Sequence, residues 1–250
     1  SQDYTKITKA LDIMSNFSKD VGVALNAEKS EGISILCPNG MKSEFHKSKD
    51  KVEFLGYSIS IDKVSIKDSS VEKIKREISY ILYKHLIQPL KSSPLKALKI
   101  PANDQDEALL SAICEIRRYM YGNLSEDLLS AYLSGRSNRI FFKGIMSFYP
   151  LINDEAQMKS LDGWLVNAIF KAVRHRASLL ISHRQPRNHI FPFNVSRKEL
   201  LKRCNRTRIK KMKLLKYPSF LTIYKAIQKG LVEVGIAGVT DSKANTYNYM

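Results

Sequence analysis

Between residues 4 and 21 the apolar positions Ile7, Ala10, Leu11, Met14, Phe17 and Val21 recur at helical spacing, which predicts an amphipathic helix with one apolar stripe. Gly22 offers it a left-handed stop. The period then changes. "VALNAEKSEGISIL" reads as a turn carrying Asn26, Glu28 and Lys29 that runs into a short strand at 33–36. Pro38-Asn39-Gly40 is a strong turn signal, and 43–47 suits a partner strand. "KVEFLGYSISIDKVSIKD" alternates as two strands joined by a tight turn at Asp62-Lys63, with Gly56 inside the first. Glycine gives a strand nothing to pack, so it marks a bulge or a close approach of the backbone to something else.

From Ser69 onward the period is helical. Ser69 and Glu72 are spaced as a capping box ahead of a long helix. Helical patterns follow near 70–87, 105–121, 125–134, 137–148 and 160–180, divided by Pro89, Pro94, Pro101, Gly122 and Pro150. Trp164 shares its spacing with Leu161, Leu165 and Ala168 and is expected in the core. "HRQPRNHIFPFN" (183–194) reads as a loop or extended arm, and a last helix is expected over about 217–229. The expected fold class is therefore α+β. A helix, a turn and a small antiparallel sheet fill 1–68, a mostly α-helical domain 69–182, and a basic helical extension 183–250. No repeat of fixed period is present.

Charge narrows the partners. The 250 residues hold 41 Lys plus Arg against 24 Asp plus Glu, a net charge of +17, while 44% hydrophobic residues are enough for a packed core. A surplus of that size points to a polyanion, with nucleic acid the default and an anionic membrane surface the rival. No apolar run is long enough to span a bilayer. The three cysteines, Cys37, Cys114 and Cys204, lie far apart, which excludes a zinc knuckle and argues against a disulfide framework, so a cytoplasmic location is expected. The five histidines lack partners at metal-ligand spacing, and neither a nucleophile elbow nor a P-loop occurs. Glu126 and Asp127, directly after Ser125, suit the start of a helix rather than acid–base chemistry. Ser1 stands where a methionine would, and a helix begins almost at once, so the chain is expected to start inside something larger.

Two groups of cations suit phosphate binding. Arg117, Arg118, Arg136, Arg139, Lys143, Arg174 and Arg176 cluster near helix ends and turns, with a solvated basic face as the competing reading. Residues 197–216 hold ten Lys/Arg and one acid, including Arg203, Arg206, Arg208, Lys210 and Lys211. They suit RNA binding, with Phe191 and Phe193 nearby to stack on bases, or else a solvated helix packing by a thin apolar seam.

Four stretches, in order, resemble one enzyme family. "GVALNAEKSEGI" is similar to the late palm motif of reverse transcriptases in which a lysine follows Asn-x-Glu. "VEFLGYSI" resembles their primer-grip motif. "VSIKDSSVEKIKREI" resembles the entry to the thumb in group II intron and retron enzymes. "FFKGIMSFYPLINDEAQMKSLDGWLVNAIFKAVRHR" looks like the later thumb of bacterial defence-associated members. The resemblance covers about 1–180 and implies an RNA-directed DNA polymerase, with antiviral defence as its setting. It gives Lys29 a role beside the leaving pyrophosphate, and makes Phe54, Leu55, Gly56 and Tyr57 the primer grip. The family's Tyr-x-Asp-Asp, which holds two Mg2+, is absent from these 250 residues, as are the fingers. The resemblance thus implies the C-terminal part of a polymerase, with the metals bound outside this chain. Its partners would be an RNA template or non-coding RNA, a DNA primer, deoxynucleotide triphosphates and the N-terminal part of the same polymerase. An oligomer stays open, and so does a different class: a non-enzymatic, maturase-like module that binds structured RNA.

Overall fold

The computed structural model describes residues 4–24, 35–38, 48–92, 107–137, 140–182, 196, 198, 208–209, 212–213 and 217–239. It is mostly helical with a small three-stranded antiparallel sheet, an α+β fold. The chain forms two compact units, Ser1–Lys63 and Val64–Met250. The division falls near the boundary expected at residue 68, and it puts 69–182 and 183–250 in one unit.

In the first unit, helix α1 (Tyr4–Asp20) has the expected extent. Its apolar stripe is exposed, with Leu11, Met14, Phe17 and Val21 all open to solvent. Strand β1 (Ile35–Leu36) pairs in parallel with β2 (Ser48–Lys49), whereas the expected partner at 43–47 lies outside the described residues. The stretch read as one long strand is a hairpin of β3 (Lys51–Phe54) and β4 (Tyr57–Ser60), in the register Phe54 opposite Tyr57 and Val52 opposite Ile59. A second turn follows where expected: the Ser60 amide donates to the Lys63 carbonyl at 2.8 Å. It leads to β5 (Val64–Ile66), with which the second unit begins.

The second unit is the core. Helix α2 (Asp68–Leu82) buries Val71, Ile74, Ile78 and Ile81 at 3–4-residue spacing. The expected capping box is not used: Lys67 stands at the cap position and makes no side-chain capping bond there, and Glu72 pairs with Lys75 at 2.8 Å. The helix continues through a π-turn (Tyr83–Ile87) into α3 (Gln88–Ser92). Helices α4 (Glu107–Tyr121) and α5 (Glu126–Leu133) follow, the latter capped by Ser125 Oγ, which accepts from the Leu128 amide at 3.2 Å.

The helix expected at 137–148 is a short 3-10 turn, Ile145–Phe148, preceded by non-helical backbone from Ile140. The cause is Gly144, at φ 88° and ψ 179°, a conformation open to glycine almost alone. A Cβ there would lie 2.6 Å from the Gly122 nitrogen and 2.7 Å from the Met120 carbonyl oxygen, so two backbones cross at this point.

Helix α6 (Glu155–Ser182) starts earlier than expected because Asp154 caps it, Oδ1 accepting from the Gln157 amide at 3.0 Å. Arg208–Ile209 (β6) and Met212–Lys213 (β7) form a two-stranded antiparallel ladder within the stretch read as a basic helix. The last helical segment, α7 (Phe220–Val239), belongs to the core and is broken at Gly235, whose φ of 70° and ψ of 179° are not helical. It buries Phe220, Ile223, Ala226 and Ile227, and the Val239 carbonyl accepts from the Phe142 amide at 3.4 Å. Trp164, expected inside, is only half-buried, with Lys75 Nζ 5.9 Å from its ring centre.

Candidate nucleic-acid interface

The hairpin explains Gly56. Residues 55 and 56 are the two central positions of a tight turn, and both take positive φ, 46° at Leu55 and 86° at Gly56. Two-residue hairpin loops need this left-handed pair because its twist matches that of the strands. The glycine therefore sits in a turn, which corrects its placement inside a strand. Leu55 takes the same backbone region without a glycine's freedom, a strained choice for a bulky residue. Its side chain is 79% exposed, and that of Phe54 is 62% exposed. Tyr57 and Ile59 are half-buried on the same face as Phe54 and Val52, so the hairpin has one apolar face and carries Lys51, Glu53, Ser58 and Ser60 on the other.

The expected phosphate contacts divide. Arg118, Arg136 and Arg174 are exposed and Lys143 is half-buried; Arg136 Nε also donates to Ser134 Oγ at 2.9 Å. Arg117 and Arg176 are 8% and 6% exposed and serve the fold, which corrects their assignment as surface cations. Arg117 Nε lies 2.8 Å from the carboxylate of Glu126, linking α4 to the first turn of α5. Burial pushes the Glu126 carboxyl above the usual range, although Arg117 acts against the shift. Arg176 Nη1 donates to the Leu86 carbonyl at 3.0 Å, a backbone oxygen of the π-turn. Lys29, Arg139, Arg203, Arg206, Lys210 and Lys211 lie outside the described residues, and Arg208 is placed only as backbone of β6.

Two clusters were not anticipated from the sequence. Lys84 Nζ lies 3.0 Å from Glu115, and His85 Nε2 bonds the same carboxylate, so one acid on α4 holds two consecutive residues of the π-turn. At the start of α7, Asp162 accepts from Ser219 Oγ and the Phe220 amide, each at 2.6 Å, and Tyr121 hydroxyl donates to the Ser219 carbonyl at 3.0 Å. The partners are 30 to 98 residues apart in sequence, which is why no local pattern announces them.

Among the described residues, no helix is long and apolar enough to cross a membrane. No group of three His, Cys, Asp or Glu among them is placed to hold a metal ion, so the described residues do not fit a two-magnesium centre. Compared with protein-family models, curated proteins and solved structures, the chain matches none.

Proposed function

We propose that this chain is the primer–template-holding part of an RNA-directed DNA polymerase, the end of the palm followed by a helical thumb. The observation that carries the reading is the Phe54–Tyr57 hairpin, whose tip exposes Phe54 and Leu55 at 62% and 79% while its turn holds a leucine in a left-handed conformation. Large apolar groups set on a strained, exposed tip suit a contact with something outside the unit that carries them. The sugar and base edge at a primer 3′ end offer such a surface, and the chain's charge of +17 suits the adjoining phosphates. Gly56 lets the backbone come close, because it adds no Cβ at the turn.

Phe54, Leu55, Gly56 and Tyr57 are the grip in this reading, and Arg118, Arg136, Lys143 and Arg174 are phosphate contacts that position the duplex without reading its sequence. Lys29 stands beside the leaving pyrophosphate, where a cation offsets charge that builds on the leaving oxygens. Two Mg2+ would be held by carboxylates outside these 250 residues, where they would supply activation of the attacking hydroxyl. Template RNA, DNA primer, deoxynucleotide triphosphates and the N-terminal part of the polymerase are the partners, and bacterial antiviral defence is the setting.

The test is primer extension on an RNA template by the complete polymerase. Leu55→Asn keeps a residue that tolerates the turn but removes the apolar tip, so extension should fall about tenfold or more while the thermal midpoint holds or rises. Gly56→Val should lower extension more than it lowers global stability, and Lys29→Ala should slow nucleotide addition with primer affinity unchanged. Retention of structured RNA with no incorporation of nucleotide by the parent would replace this reading with a non-enzymatic RNA-binding module.

A further inference from the structure

We propose that the exposed face shared by α2, the π-turn and α4 is a stacking platform for single-stranded nucleic acid. Tyr80 and Tyr83 stand one helical turn apart and are 56% and 41% exposed. At that spacing two rings lie on one face with Cβ atoms about 5–6 Å apart, near enough to serve neighbouring bases of one strand. Cations surround them. Lys73 and Arg76 precede the tyrosines on exposed positions of α2. Lys91 follows, with Nζ 5.8 Å from the centre of the Tyr83 ring. On α4, Arg118 is exposed one turn beyond Glu115.

The π-turn is fixed in place. Lys84 and His85 both bond Glu115, and Arg176 donates to the Leu86 carbonyl from inside the core. A widened turn of this kind is otherwise a soft point in a helix. Held from two sides, it presents Tyr83 on a rigid support, so little conformational freedom is lost on binding. Glu115 is occupied by Lys84 and His85, which leaves Arg118 to act on a ligand. Glu77, an exposed acid of α2, lies near Lys84. Exposed aromatic rings among an excess of cations are the arrangement that binds single strands without sequence preference: rings stack on any base and cations follow the backbone. The platform depends on the nucleic-acid half of the proposed function and is independent of polymerase activity.

The probes are fluorescein-labelled oligothymidylate and oligouridylate of about 20 nucleotides, longer than one such site, titrated by anisotropy against the purified protein. Tyr80→Ala/Tyr83→Ala is expected to weaken binding by about tenfold or more. The dependence of affinity on salt should stay the same, because no phosphate contact is lost. Tyr80→Phe/Tyr83→Phe keeps the rings and should bind like the parent. Lys73→Gln/Arg76→Gln should instead reduce the salt slope by about 1 to 2. All four side chains are exposed, so the thermal midpoints should match. The proposal is overturned if the alanine variant binds like the parent, if the phenylalanine variant loses binding with it, or if the parent does not bind these strands. A protein that binds through the tyrosines yet extends no primer keeps the platform and loses the polymerase. Extension with tyrosine-independent binding does the reverse.

Discussion

Gln157 pairs with the backbone of Ile66 from the first turn of α6: its Oε1 accepts from the Ile66 amide and its Nε2 donates to the Ile66 carbonyl, each at 2.8 Å. Asn153 does the same for Val64 with its side-chain oxygen and its own amide, at 2.7 and 2.9 Å. Between them Ser65 Oγ donates to Asp154 at 2.7 Å. The outer edge of β5 is thereby covered, which removes an exposed strand edge and ties β5 to the start of α6. Ile66 is fully buried, so Gln157→Leu leaves two backbone groups there without partners. The expected loss is about 2–4 kcal/mol, read from urea midpoints. Gln157→Glu keeps the acceptor alone and should fall between.

Gly144 and Gly163 should respond to alanine in opposite directions. At Gly144 the backbone is left-handed and a Cβ would strike the Met120 and Gly122 main chain, so Gly144→Ala should cost about 2–5 kcal/mol. Gly163 lies within α6 with open space around it, and Gly163→Ala should stabilise by about 0.4–1 kcal/mol. Equal thermal midpoints for the two variants would refute the backbone crossing.

The buried pair Arg117–Glu126 should show strong coupling. Removing either partner leaves an uncompensated charge at a site 8% or 4% exposed, so Arg117→Met or Glu126→Leu alone should cost about 3–5 kcal/mol. Arg117→Met/Glu126→Leu removes both charges and should recover most of that loss. A cycle with additive single effects would show that the two side chains act separately.

Asp162 gives stability a dependence on pH. Burial raises its carboxyl above the usual aspartate range, although Ser219 and the Phe220 and Leu221 amides all favour the charged form. The folded state thus holds the proton more tightly than the unfolded state. That contribution is complete below the unfolded pKa and is lost as pH rises through the folded one. The stability of the parent relative to Asp162→Asn should therefore decline as pH rises above about 4 and then level off. Guanidinium midpoints over that range give the measurement, and a gap that widens with pH would reverse the assignment.

The sequence by itself determined the elements whose signal is local. The stripe of α1 and the repeat Val71, Ile74, Ile78 in α2 are set by the 3.6-residue period, and the turn before β5 by polar turn residues. The excess of cations that favours a polyanionic partner is likewise a property of composition. Gly56 was visible as an anomaly, but whether it interrupts a strand or turns a hairpin depends on cross-strand pairing, which its neighbours in sequence do not specify. Ser69 and Glu72 have the spacing of a capping box that the structure does not use, while Asp154 and Gln157 have it as well and Asp154 caps α6. Only tertiary structure chose between them, because the side chains also serve β5. It likewise decided which arginines remain at the surface. Arg117 and Arg118 are neighbours in sequence, yet about 100° of helical rotation puts one against buried Glu126 and the other in solvent. The same long-range packing drew α7 into the core, since Asp162 and Tyr121 reach it across 57 and 98 residues.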